Sequence, residues 1–116
     1  MTVVDFHTHT FPPDVLARRE HYRQRDRWFG QLYANPKASL ASAEDLIASM
    51  DENAIDLSVV FGFGWADPGL CRETNDYLLD SVSRWPTRLI GFAQVNPAAP
   101  GALAEAERCL QAGLRG

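Results

Sequence analysis

The sequence predicts an α/β chain of parallel βα units, and three observations carry that prediction. Short runs rich in β-branched and aromatic residues near 2–8, 55–61 and 88–95 read as strands. The stretches between and after them hold helix start and stop signals and are too long for hairpins. Strands joined through helices pair in parallel with right-handed crossovers, and such a sheet wants both faces covered.

The first strand contains Val3-Val4-Asp5-Phe6-His7-Thr8-His9, a short apolar opening that reads as buried. Alternation along an extended chain places Asp5, His7 and His9 on one face. Thr10-Phe11-Pro12-Pro13 breaks the strand directly afterwards. A buried neutral imidazole needs partners for both ring nitrogens, and two imidazoles side by side double that demand. A divalent ion satisfies one nitrogen of each, so His7 and His9 are candidate metal ligands. The alternative is a pair of hydrogen-bonded histidines at a polar strand end.

A connection over residues 10–42 comes next, rich in Arg, Tyr, Trp and Phe and broken by Pro12, Pro13, Gly30 and Pro36. Residues 14–25 have room for a short helix, with poor apolar spacing. Loops of this length commonly serve a site. Phe11, Trp28, Phe29 and Tyr33 either wall a pocket near the histidines or cover the core, and covering is the simpler expectation. Arg18, Arg19, Arg23, Arg25 and Arg27 make this part basic: residues 1–40 carry six basic and four acidic side chains, the rest five and eleven. Glu20 and Asp26 are interspersed, which suits a solvated surface; arginines reaching a carboxylated substrate are the functional alternative.

Ser42-Ala43-Glu44-Asp45 has the form of a helix start, with Ser42 as N-cap and Asp45 three residues on. That helix buries Leu46, Ile47 and Met50 and ends near Asn53-Ala54. Gly62-Phe63-Gly64-Trp65 forms a loop after the second strand and lacks the Gly-Lys-Ser/Thr of a phosphate loop. Leu70 to Arg84 reads as helical, with Leu70, Tyr77, Leu78 and Val82 near one side and Pro86 as the stop. A third helix runs from Pro100 or Gly101 to Ala112 through Leu103, Ala106 and Leu110. Gly113 is its C-cap, and Leu114-Arg115-Gly116 looks like the approach to a fourth strand.

At 116 residues this is one domain or part of one, and 46% hydrophobic with 22% charged residues is an ordinary globular balance. No apolar run approaches the ~18 residues of a membrane span, and the start lacks the features of a signal peptide, so the expected location is cytoplasmic. A net charge of −4 argues against nucleic acid as a partner. Cys71 and Cys109 lie far apart with no Cys-x-x-Cys pair and read as free thiols, neither a good nucleophile. Three βα units begin either a doubly wound sheet or a (β/α)8 barrel, and a barrel takes about 250 residues.

Beyond the His-x-His itself, DFHTHTFPP, AEDLIASMDENAIDLSVVFGFGW, TNDYLLDSVSRWPTRLIGFAQVNP and the closing AGLRG together resemble the amidohydrolase superfamily. Within it, the chain is similar to the amidohydrolase 2 family, the metal-dependent hydrolases and decarboxylases grouped with aminocarboxymuconate-semialdehyde decarboxylase. The resemblance implies a distorted (β/α)8 barrel with a metal at the C-terminal strand ends. His7 and His9 match the family's first-strand pair and would be ligands, not bases. Asp5 would lie behind them, orienting a ligand or serving structure alone. The family's further ligands, a fifth-strand histidine and an eighth-strand aspartate, and its sixth-strand catalytic histidine have no place in 116 residues. Residues 1–116 are thus expected to be the N-terminal fragment of such a barrel, incomplete for catalysis alone.

The implied activity is metal-dependent hydrolysis or decarboxylation of a small carboxylated or cyclic substrate, with zinc expected first and manganese second. The expected partner is that small molecule, with neither nucleic acid nor membrane. Exposed strand edges of an open sheet also allow a homo-oligomer. Two other functions compete. One is a phosphoesterase of the polymerase-and-histidinol-phosphatase type, whose His-x-His is usually followed by a Ser-Asp-Gly-like turn where Phe11-Pro12-Pro13-Asp14 stands here. The other is a non-catalytic fragment acting only through association with a partner.

Overall fold

The computed structural model describes residues 1–116. Its elements run β1 (Val4–His9), α1 (Pro13–Ala17), α2 (Arg19–Arg25), α3 (Arg27–Leu32), α4 (Ala43–Glu52), β2 (Leu57–Phe61), α5 (Pro68–Arg84), β3 (Leu89–Phe92) and α6 (Ala102–Ala112). The strands form one sheet in the order β1-β2-β3, all parallel. The βα pattern of the sequence is therefore the architecture of the chain. Beyond β3, Arg115 N–H donates to the Gly91 carbonyl and Ala93 N–H to the Gly116 carbonyl. The last residues thus run alongside β3, as the approach to a fourth strand does.

Several boundaries differ from expectation, each for a visible reason. β2 starts at Leu57 because Ile55 N–H still bonds to Met50 of α4 and Ala54 turns the chain at φ 54°. β3 stops at Phe92, short of the expected residue 95, because a side chain replaces the ladder: Asn75 of α5 accepts from Gln94 N–H (2.8 Å) and donates to its carbonyl (2.9 Å). The connection over 10–42 is three short helices, not a loop with one. Gly30 lets α2 and α3 cross closely, since a Cβ there would stand 2.5 Å from the Arg23 carbonyl oxygen.

Within residues 1–116 the first strand is more exposed than expected. β1 has only one paired neighbour, and Val4 and Phe6 are 44% and 72% exposed. Within these residues it stands at one end of the three-stranded order. In the last helix Leu103 and Leu110 are exposed within residues 1–116, while Cys109 is fully buried. What turns α6 is polar. Glu105, whose side chain is 12% exposed, binds Arg108 at 2.7 Å, Asn75 at 3.0 Å and Arg72 at 3.4 Å. Apolar spacing gave no hint of a carboxylate as the docking group.

The core has two parts. Met50, Val60, Leu78, Leu89, Cys109 and Leu114 pack between the sheet and its helices. Phe11, Val15, Tyr22, Phe29, Phe63, Trp65, Leu70 and Cys71 form the other, gathering the 10–42 connection against the loop after β2. Burying a Phe or Leu is worth about 2–3 kcal/mol, so this second cluster outweighs the poor helix length of α1 to α3. The Ser42 capping box forms as expected, with Asp45 reciprocating. Gly113, at φ 124°, ends α6.

One buried carboxylate ties the connection to the sheet. Asp26, 1% exposed, caps α3 by accepting from Trp28 and Phe29 N–H at 3.0 Å, and its other oxygen accepts from Asp67 N–H at 2.9 Å. Asp67 in turn caps α5. Replacing Asp26 with Ala strands these three donors. Chemical denaturation of Asp26→Ala is expected to show a loss of about 3 kcal/mol, with Asp26→Asn losing less.

Acid sensitivity arises from Glu105, which Arg108, Asn75 and Cys109 hold at a pKa of about 2 against an ordinary 4.5 despite its burial. A depressed folded-state pKa stabilises above the unfolded value and loses that contribution as pH falls toward the folded one. Stability is therefore expected to decline from pH about 4.5 to about 2. Glu105→Gln, measured by thermal melts across that window, is expected to be less stable at neutral pH and to show a flatter acid limb.

Candidate functional site

Parallel pairing brings the C-terminal ends of β1, β2 and β3 to one edge, and the site residues are those that leave the strands there. His7 and His9 come together as the sequence suggested: their Nε2 atoms are 3.0 Å apart. Both rings lie against Phe61 of β2, at 5.0 and 5.9 Å between centroids. His9 Nδ1 sits 2.9 Å from the Gly62 carbonyl oxygen. A carbonyl only accepts, so that nitrogen carries the proton and Nε2 keeps its lone pair.

Asp5 does not join them. Between the pairs Asp5–Ser58 and Thr8–Val60, β1 advances three residues while β2 advances two, so the strand carries a bulge. The alternation that would have held Asp5, His7 and His9 in phase is broken inside it. The Asp5 carboxylate instead accepts from His7 N–H at 3.3 Å, and Thr8 Oγ1 donates to the Val59 carbonyl at 2.9 Å. The bulge is thus held by two side-chain contacts next to the histidines.

The pair suits a divalent cation in its donor atoms. Imidazole nitrogens ligate zinc at about 2.0–2.1 Å, so two on one tetrahedral ion stand about 3.3–3.4 Å apart; the Nε2 atoms here, at 3.0 Å, are a few tenths of an ångström closer. The Gly62 carbonyl supplies the partner that metal-binding histidines ordinarily have on the second nitrogen. No group of three or more His, Cys, Asp or Glu in the chain is placed to hold a metal ion. These residues supply two ligands of a site, and a closed zinc site takes four.

Beside His9 opens a cleft of about 510 Å³ lined by His9, Trp28, Leu32, Tyr33, Phe63 and Gly64. That size suits a small organic molecule. The aromatic residues singled out in the connection divide between two roles: Trp28 and Tyr33 line the cleft, while Phe11 and Phe29 are buried behind it. Tyr33 stacks on Phe29 at 4.7 Å and the Phe29 ring lies 4.8 Å from Trp65, so the cleft wall rests on the core. Leu32, Phe63 and Gly64 were missed as site residues. Their signal was position, since Phe63 and Gly64 come just after β2 at the same end as His9.

The arginines of the connection are mostly engaged in holding it. Arg18 pairs with Asp14, Arg23 with Glu20, and Arg25 with Asp67 and Glu73. Arg19 donates to the carbonyls of Tyr33, Asn35 and Ala38. Arg27 lies over the Trp28 ring at 5.6 Å. The two cysteines are buried, and burial raises both thiols, Cys109 to about 11 with Glu105 adding to the effect. Both stay protonated at neutral pH, as suits inert thiols. No helix is long and apolar enough to cross a membrane.

Known proteins share this arrangement. No curated protein matches the sequence. Among solved structures, a Staphylococcus aureus protein assigned as an amidohydrolase is similar with a TM-score of 0.64 at 21% identity, over 100% of this chain and 36% of the other. A dihydroxybenzoic acid decarboxylase from Polaromonas, with bound manganese and the inhibitor 2-nitroresorcinol, gives 0.62 at 22% identity, over 96% and 36%. A 5-carboxyvanillate decarboxylase from Novosphingobium aromaticivorans, complexed with manganese and 4-hydroxy-3-methoxy-5-nitrobenzoic acid, gives 0.61 at 23%, over 83% and 34%. The chain spans about a third of the length of these proteins, and its three parallel βα units are part of a (β/α)8 barrel. The amidohydrolase family model matches residues 4–116, and the protein belongs to that family.

Proposed function

We propose that residues 1–116 are the first three βα units of a metal-dependent amidohydrolase barrel, and that His7 and His9 hold its divalent cation. The observation that carries this reading is the pair of Nε2 atoms 3.0 Å apart, with His9 turned by the Gly62 carbonyl. Zinc is the ion the ligand type suggests, while manganese is the ion bound in two similar decarboxylases. When bound, a divalent cation supplies a Lewis acid that polarises a carbonyl or carboxylate oxygen and lowers the pKa of water. The activity proposed is hydrolysis or decarboxylation of a small carboxylated or cyclic molecule. The ligands named for the two decarboxylases are of that kind.

This chain's own residues have distinct tasks in that reading. Gly62, through its carbonyl, fixes the tautomer and the direction of the His9 ring. The bulge at Asp5 to Thr8 sets where His7 leaves the strand. Trp28, Tyr33 and Phe63 offer a ring-shaped ligand apolar faces beside His9 and displace water from it. Asp26 holds α3, and with it Trp28 and Leu32, in position.

Two ligands bind an ion weakly, and the remaining ones are proposed to come from later strands of the barrel. Isothermal titration of the chain with zinc and with manganese is expected to show weak binding that drops at least tenfold, about 1.4 kcal/mol, in the His7→Ala, His9→Ala double variant. His21→Ala, on exposed α2, is expected to change nothing. Tight binding indifferent to the double variant would refute the ligand assignment. The 116-residue chain alone is expected to turn over no amide, ester or aromatic acid, whereas a polypeptide that includes the remaining βα units is expected to do so.

A further inference from the structure

Thr8 stands between the two candidate ligands, half-buried where His7 and His9 are both exposed. The register slips between the pairs Asp5–Ser58 and Thr8–Val60, so the ladder is disturbed at the residues that aim the imidazoles. The Thr8 side chain bridges that disturbance. Its Oγ1 donates to the Val59 carbonyl at 2.9 Å, from a residue 51 positions away in the chain. Val59 is buried in β2, the central strand, and Val60 opposite Thr8 packs in the core with Met50 and Leu78. The hydroxyl therefore ties the bulge to the strand that the core holds in place. His9 has a second restraint, since its Nδ1 meets the Gly62 carbonyl at 2.9 Å. The His7 ring has no hydrogen bond except the one to His9, so its direction depends on the backbone that Thr8 anchors.

We propose that Thr8 is a positioning residue: its hydroxyl bond to Val59 fixes the backbone between His7 and His9, and with it the convergence of their Nε2 atoms on one cation. This rests on the reading of the pair as metal ligands. A group that holds ligands in place without touching the ion raises affinity because the ligands lose less freedom when the ion arrives. The role belongs to the hydroxyl, whereas a threonine serving the strand alone would act through its β-branched shape. Two substitutions separate these. Valine keeps the branched shape and loses the hydroxyl; serine keeps the hydroxyl and loses the branch.

The test titrates zinc into the ¹⁵N-labelled chain while the ring signals of His7 and His9 are followed, with thermal melts of each variant to report the fold. Thr8→Val is expected to bind zinc about fivefold more weakly than wild type, the worth of one net hydrogen bond. Thr8→Ser is expected to bind as wild type does, although serine is the poorer strand former. A loss of strand stability alone would give the opposite order, with serine the weaker binder. In the metal-free chain the rings lie 4.9 Å apart between centroids, close enough for a nuclear Overhauser effect between them. That effect is expected in wild type and Thr8→Ser and is expected to fade in Thr8→Val. Wild-type zinc affinity in Thr8→Val, an undiminished ring-to-ring effect in it, or equal losses in both variants overturns the proposal. Zinc that leaves the wild-type His7 and His9 signals unmoved refutes the metal reading and this proposal with it; because the ring-to-ring effect is read without metal, the two failures are told apart.

Discussion

Parallel strand pairing is the constraint on which the arrangement depends. Each strand must be reached by a crossover that returns the chain to the opposite edge, so all three strands end on the same side. Whatever polar groups the strand ends carry are thereby gathered without any local preference for one another. His9 at the end of β1 meets the Gly62 carbonyl at the end of β2 because β1 and β2 are in register there, His9 opposite Phe61.

Polar side chains, more than apolar ones, decide where the surrounding elements stop and how they dock. Asn75 takes both backbone groups of Gln94 and so ends the third strand, and Glu105 collects Arg72, Asn75 and Arg108 to seat α6 on α5. Asp26 seats α3 against the start of α5. Groups of this kind are buried only when their hydrogen bonds are met, which makes their positions demanding. Of these groups Asp26 bears on the cleft, because it holds α3, which carries Trp28 and Leu32.

The bulge in β1 shows how strand register can serve a site. Bulges are common at barrel rims and next to active sites, where the extra residue re-aims the side chains around it. Here it releases Asp5 from the histidines, gives its carboxylate to the His7 backbone and leaves the two imidazoles converging over Phe61.

From the sequence by itself came the three βα units and their order, the Ser42 capping box, the Gly113 stop, the run after β3 toward another strand and the pairing of His7 with His9. Each is written in neighbouring residues: hydrophobic period, cap chemistry and alternation over two positions act within a few residues of one another. Only the tertiary structure decided the rest. The bulge depends on the register with β2, fifty residues away, and the end of β3 depends on an asparagine in α5. The outward turn of Leu103 and Leu110 depends on where Glu105 finds its partners. The division of the aromatic residues between core and cleft depends on which of them Trp65 and Phe63 meet. Such outcomes are settled by groups remote in the chain competing for one space, and no local pattern encodes that competition.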